Sequence, residues 1–148
     1  MFHGTHMFDR ILTMNVPTLA IINGSAIAGG VFLGLCHDRM IMKDDPNFTM
    51  CLNELNFGMP ICYGMANIPM YTLSKNTARH MLMGNKFTPH EALKEGVVRE
   101  LYSDDSQVEA MIAKYAEEHA EKGNYRGVLK KSKTNFNMAL HLCLNGPQ

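Results

Sequence analysis

Apolar and polar positions along this chain follow two periods. Met7, Phe8, Ile11, Leu12 and Met14 recur at helical spacing, which predicts a short amphipathic helix ended by Asn15 and Pro17. Residues 18–22 are instead a compact apolar run with two adjacent isoleucines, the pattern of a buried strand, closed by the turn signal Asn23-Gly24. Ser25-Ala26-Ile27-Ala28-Gly29-Gly30 follows, and residues 31–36 are apolar and compatible with a helix. Residues 40–42 predict a second strand, stopped by the polar loop Lys43-Asp44-Asp45-Pro46-Asn47, and residues 48–50 a third. The next stretch, 52–57, holds one acid, Glu54, in largely apolar company.

The second half reads as helical. Ser74 can cap a helix running to Met83 with Ala78, Met81 and Leu82 on one face and Gly84 as its stop. Thr88-Pro89-His90-Glu91 combines an N-cap, a proline at the first helical position and a glutamate able to close a capping box. That helix ends at Gly96, and residues 97–102 read as a strand. Ser106 with Glu109 opens a longer helix, with Val108, Met111, Ile112, Tyr115 and His119 on one face and Gly123 as its end. A last helix over 128–142 carries Leu129, Phe136, Leu140 and Cys143. Strands mixed with helices in this order point to an α/β or α+β fold with helices dominating the C-terminal half.

Composition narrows the function classes. The 148 residues suit one domain, and a 46% hydrophobic content is enough for an ordinary core. Fourteen Lys and Arg balance fourteen Asp and Glu, so no basic excess favours nucleic acid or a membrane surface. The run Lys130, Lys131 and Lys133 is too short to change that. Nothing approaches the roughly 18 unbroken apolar residues of a membrane span. Residues 1–10 do not read as a signal peptide, and the final Asn145-Gly146-Pro147-Gln148 is not an S-K-L-type ending. Thirteen Met residues read as adaptable packing filler. Cys36, Cys51, Cys62 and Cys143 show no C-x-x-C spacing, so reduced and mostly buried thiols are expected. The seven histidines form no ligand spacing, the pair His37-Asp38 reads as structural, and no metal is expected.

Two stretches could carry chemistry. The small residues Ala26, Ala28, Gly29 and Gly30, between a strand and a helix, allow close approach to the backbone and leave helix-start N–H groups for an anion. The spacing is not G-x-G-x-x-G, which argues against a dinucleotide; a tight strand-to-helix turn and an oxyanion site both fit. Glu54 among Leu52, Leu55, Phe57 and Met59 fits either a partly desolvated acid/base carboxylate or a surface acid on an edge strand or turn.

Taken together, these stretches resemble the crotonase (enoyl-CoA hydratase/isomerase) superfamily. Pro17 to Gly30 is similar to its P-x-x-A-x-x-N/T-G-x-A-x-x-G-G, and Leu33-Gly34-Leu35-Cys36-His37-Asp38 to its L-A-x-x-x-D helix end. Glu54-Leu55-Asn56-Phe57-Gly58 resembles E-[ILV]-x-[IL]-G, and Phe87 to Val98 the closing [FI]-[ST]-A-x-E-A-x-x-x-G-[LI]-V. The four blocks cover about residues 7–120 in order, and residues 37–45 look most like Δ3,Δ2-enoyl-CoA isomerases.

The resemblance implies an α/β fold: the C-terminal part of a crotonase-like β-β-α spiral over residues 1–102, with a trailing helical, trimerisation-type region over 103–148. It implies Glu54 as acid/base carboxylate, the backbone N–H of Gly29 as an oxyanion-hole donor, and Ala26, Ala28, Phe32 and Phe57 around the substrate. Phe32 stands where hydratases of the family carry a second glutamate, which favours isomerisation over hydration. The implied substrate is an acyl-CoA thioester of fatty-acid β-oxidation; no separate cofactor is needed, since coenzyme A is part of the substrate. The family fold needs a longer chain, so a truncated member is expected, without the half that supplies the second oxyanion donor and most of the CoA pocket. A homotrimer, or a hetero-oligomer with crotonase-like subunits, in the peroxisome or mitochondrial matrix follows from the same resemblance. A non-catalytic structural or accessory subunit is the alternative.

Overall fold

Four consecutive apolar residues form strand β1, Leu19–Ile22, in a computed structural model that describes residues 3–145. The readings made on residues 1–2 and 146–148 lie outside the described residues. Strand β3, Arg39–Lys43, runs parallel to β1 on one side and to β5, Glu100–Tyr102, on the other. The register sets Leu19 beside Arg39 and Ile41 beside Glu100. Met40, Ile41 and Met42 are all buried, as a central parallel strand covered on both faces requires. A parallel pair needs a crossover, and helix α2, Gly29–Leu35, supplies it between β1 and β3. A second parallel pair joins β2, Ala26–Ile27, to β4, Met50–Cys51.

Helix α1, His3–Leu12, lies earlier than its expected span, with Phe8 and Leu12 buried and Met7 and Met14 exposed. Helix α3, Tyr63–Thr72, has no counterpart in the sequence reading. It contains Pro69 and lacks a clear polar face, so neither periodicity nor breaker rules mark it. The expected starts of α4, Lys75–Leu82, and α5, Pro89–Lys94, are both present. Ser74 Oγ accepts from Thr77 N at 3.2 Å, and Thr88 and Glu91 exchange bonds in a full capping box.

The C-terminal half departs from expectation in three places. Helix α6, Ser106–His119, is capped by Asp104, whose carboxylate accepts from Ser106 N at 2.7 Å, and Ser106 itself makes no cap. On its expected apolar face only Tyr115 is buried; Ile112 is exposed. The single helix expected over 128–142 is two: α7, Arg126–Phe136, and α8, Met138–Asn145, preceded by a 3-10 segment over Ala120–Tyr125. Asn137 makes the break, its side-chain amide donating to the Leu12 carbonyl at 3.2 Å. The turn returns α8 to the body of the protein with Leu140 and Leu144 in the core, while Phe136 is left exposed. Of the four thiols, Cys36 and Cys51 are buried, Cys143 is half-buried and Cys62 is exposed. Burial, with help from Asp9, pushes Cys36 up to about 12, which makes it inert.

Asp38 has the structural role expected of it. Its Oδ2 accepts from Thr18 N at 2.7 Å, Thr18 Oγ1 at 2.8 Å and Lys133 Nζ at 2.7 Å. Lys133 is 1% exposed and also donates to the Val16 carbonyl at 3.3 Å. The two ends of this pair are unequal. Without Asp38 the ammonium is left buried with one carbonyl, whereas without Lys133 the carboxylate keeps both Thr18 donors and a partial exposure to water. Asp38→Ala is therefore expected to cost about 3–5 kcal/mol and Lys133→Met clearly less. The double variant should recover about 2 kcal/mol relative to additivity, all measured by urea unfolding. Equal losses from the two single variants would contradict this account.

The capping box gives a pH dependence with a definite sign. The backbone N–H of Thr88 and then its hydroxyl hold Glu91 below the ordinary carboxylate value of 4.5. A carboxylate depressed in the folded state contributes stability above its unfolded value, lost as pH falls through the folded one. Glu91→Gln, which keeps an acceptor and removes the titrating group, is expected to flatten the acid limb below about pH 4.5 in a pH series of thermal melts. An unchanged limb would show that the box carries no linkage.

Candidate functional site

The β2–β4 pair brings the glycine turn beside the chain leading to Glu54. Ala26 lies opposite Met50 and Ile27 opposite Cys51, and Ala28 N–H donates to the Cys51 carbonyl at 2.8 Å. Ala28 then turns with φ 50° and ψ −116°, the one positive-φ residue other than glycine among the described residues. A side-chain-bearing residue in that region carries about 1–3 kcal/mol of strain, of a kind that clusters at functional sites. The Ala28 carbonyl accepts from Val31 N at 3.0 Å and Phe32 N at 3.3 Å, which starts α2. Among the described residues, the N–H groups of Gly29 and Gly30 find no acceptor. Both glycines are exposed, and a Cβ built on Gly29 meets nothing within 4 Å.

Glu54 opens a 3-10 turn, Glu54–Phe57, three residues after β4 ends. Gly58, with φ 67°, closes the turn; its N–H donates to the Leu55 carbonyl and that of Met59 to the Glu54 carbonyl, each at 3.0 Å. The Glu54 side chain is half-buried, and its Oε2 is shut off from solvent with no hydrogen-bond partner. The apolar neighbourhood read from the sequence is only partly a buried one. Leu52 is fully buried, but the tight turn carries Leu55 and Phe57 outward, and Met59 follows them. Burial pushes the Cys51 thiol up; Lys86 opposes this and the nearby Glu54 carboxylate adds to it.

The remaining expected site residues divide. Ala26 is buried in the β2–β4 pair, and Ala28 holds the strained turn. Phe57 is 70% exposed, on the same turn as Glu54. Phe32, expected around the substrate, is fully buried with its ring 6.3 Å from that of Phe8. It is a core residue here, because α1 covers that face of α2. The Ala28 backbone is what the sequence reading missed; its signal was an alanine directly before two glycines at the end of a strand. The larger concavities lie elsewhere. One of about 430 Å³ is lined by residues that include Leu35, His37, Arg39 and Arg99, and one of about 590 Å³ by Met7, Arg10, Met14 and Lys130 among others. Among the described residues no three His, Cys, Asp or Glu side chains group to hold a metal, and no helix is long and apolar enough to cross a membrane.

The fold recurs in solved structures. An enoyl-CoA hydratase/isomerase family protein from Pseudomonas syringae matches with a TM-score of 0.83 at 24% identity, covering 96% of this chain and 60% of that one. Human mitochondrial Δ3-Δ2-enoyl-CoA isomerase matches with a TM-score of 0.72 at 21% identity, covering 97% and 60%. The architecture is therefore that of a crotonase-like spiral with a trailing helical region. The sequence matches the enoyl-CoA hydratase/isomerase family over residues 2–145, and the chain belongs to that family.

Among curated relatives, mitochondrial enoyl-CoA delta isomerase 1 of Mus musculus is 37% identical over 97 residues, 65% of this chain and 34% of the relative. Its counterpart in Rattus norvegicus is 32% identical over 110 residues, 72% and 38%. A fatty acid oxidation complex subunit alpha from Shewanella halifaxensis is 31% identical over 139 residues, 93% and 19%. The chain thus spans about a third of the length of the isomerases it matches.

The Ala28 geometry leads to a direct measurement. Ala28→Gly is expected to raise stability by about 1 kcal/mol, the relieved strain less the added chain entropy of glycine. Gly29→Ala should stay within about 0.5 kcal/mol of the parent, since its Cβ meets open space. Chemical denaturation of both variants checks this, and a loss of stability in Ala28→Gly would contradict the strain.

Proposed function

We infer that this chain carries the proton-transfer machinery of an enoyl-CoA isomerase, converting a 3-enoyl-CoA thioester to its 2-enoyl isomer. The observation that carries the reading is the unpartnered, shielded Oε2 of Glu54, three residues beyond the strand that pairs beside the free Gly29 N–H. Glu54 takes a proton from C2 of the substrate, and the electron pair moves into the thioester carbonyl to give a dienolate. The Gly29 N–H donates to the developing oxyanion, an interaction of a class worth about 10²–10³ in rate. Glu54 then returns the proton at C4, and the double bond rests between C2 and C3. Atoms and charge balance with no other reactant. Phe32, apolar and buried, cannot polarise a water, which favours isomerisation over hydration.

Two further readings accompany this one. The mitochondrial isomerases among the relatives favour the mitochondrial matrix as the compartment. The exposed apolar residues Phe57, Tyr125, Val128 and Phe136 favour assembly with a second copy or another crotonase-like subunit.

The test is turnover of a 3-enoyl-CoA by this chain, alone and with the N-terminal half of a family member supplied in trans. Glu54→Gln is expected to lower kcat by about 10³-fold or more. Light scattering of the same preparation should report more than one chain per particle. Absence of turnover in both formats, or equal turnover by Glu54→Gln, would overturn the catalytic reading and leave that of an accessory subunit.

A further inference from the structure

One carbonyl holds the chain on both sides of Glu54. The Gly84 oxygen accepts from Cys51 Sγ at 3.3 Å and from Asn56 Nδ2 at 3.3 Å. Cys51 ends β4, Asn56 sits inside the 3-10 turn, and Glu54 lies between them. Gly84 follows the last residue of the α4 end with φ 83°, a conformation that favours glycine. A Cβ there would stand 2.9 Å from Asn56 Oδ1 and 3.1 Å from Nδ2, so the absence of a side chain is also what lets Asn56 seat. A few residues on, Phe87 exchanges a pair of 2.9 Å backbone bonds with Met50. Residues 50–56 are thus fastened to residues 84–87 at Met50, Cys51 and Asn56.

The turn has little else to hold it. None of its four residues is buried, and Leu55 and Phe57 are exposed. Short 3-10 turns have poorer hydrogen-bond geometry than α-helices and depend on their surroundings. Within this one, Asn56 supplies the side-chain bond that ties the segment after Glu54 to a different element.

We propose that Asn56, seated on Gly84, is the positioning residue for the Glu54 carboxylate. The proposal rests on Glu54 acting as the base. Asn56 touches no reacting atom; it fixes the turn whose first residue does, and small displacements of a base cost about 10² in rate.

The experiment compares the parent chain with Asn56→Ala and with Asn56→Asp, which keeps the shape and loses the donor. Three readouts are taken: hydrogen exchange at the Met59 amide, which is bonded to the Glu54 carbonyl; the ¹³C shift of the Glu54 carboxyl; and kcat and KM in whichever format turns over. Exchange at Met59 should quicken by about ten-fold, the loss of one hydrogen bond, while the Ile41 amide in β3 is unchanged. The Glu54 signal should move, and kcat should fall by about 10²-fold with KM within about two-fold. Unchanged exchange and carboxyl shift would overturn the proposal whatever the turnover. So would quickened exchange with parental kcat in a chain that Glu54→Gln inactivates, and in that case the catalytic reading stands. Turnover that persists in Glu54→Gln would instead remove the base, and the positioning role with it.

Discussion

The fold depends on a charge pair at the foot of its sheet, a buried lysine on an aspartate whose side chain is half-buried. Thr18 enters β1 with its N–H and hydroxyl both donating to Asp38, while the Asp38 N–H donates back to Thr18 Oγ1 at 3.0 Å. The next amide, Arg39 N, donates to the Thr18 carbonyl at 3.2 Å, which sets the register that runs on through Leu19 beside Arg39. A one-residue slip would turn every β3 side chain to the opposite face, so this exchange decides which side of the sheet each one packs against. The same Thr18 carbonyl receives the Tyr115 hydroxyl at 3.0 Å, and Asp38 receives Lys133. One threonine and one aspartate thereby hold β1, β3, α6 and α7 together. Replacing both charges with apolar groups could match this in stability, but it would lose the directional exchange that fixes register.

From that register the site follows. With β1 and β3 fixed, α2 must leave β1 within a few residues and return antiparallel to the strands. The chain makes that reversal through the Ala28 backbone. Its strain is sustained because both flanks are determined: β2 is bonded to β4 through Ala28 N–H, and Ala28 O starts the helix. A residue in an unfavourable conformation persists when its surroundings leave it no alternative. Gly29 and Gly30, the first residues of that helix, are left with exposed N–H groups, as a helix start without a side-chain cap leaves them.

Much of this was legible in the sequence, and the limits have physical causes. Strands β1 and β3, the glycine turn and the α4 and α5 caps are local: their signals are apolar runs, small residues and side-chain oxygens within four positions of their partners. The C-terminal helices depart from their local pattern where long-range bonds decide. Asn137 breaks a continuous helical pattern because Leu12, 125 residues earlier, offers a carbonyl. Lys133 belongs to a short basic run with no local sign of burial, and it is buried with Asp38 across from it. Helix α3 shows no period because apolar residues occupy its exposed positions, Tyr63 and Tyr71, as well as the buried Ile68. Phe32 takes its expected place around the substrate from resemblance alone, yet resemblance carries no burial, and α1 encloses it.

Glu54 shows the same division at the scale of one side chain. The pattern around it marked an acid among apolar residues and left open whether it was shielded. The structure places Leu55, Phe57 and Met59 outward and still shuts Oε2 from water, so shielding comes from tertiary placement rather than from those neighbours. That placement is inherited from β4, which is held to β2 on one side and to Phe87 on the other. Removing an oxygen from solvent without giving it a partner is unfavourable to the folded chain. The cost is borne by the contacts that fix β4 on both sides, which leave the side chain that follows no relaxed alternative.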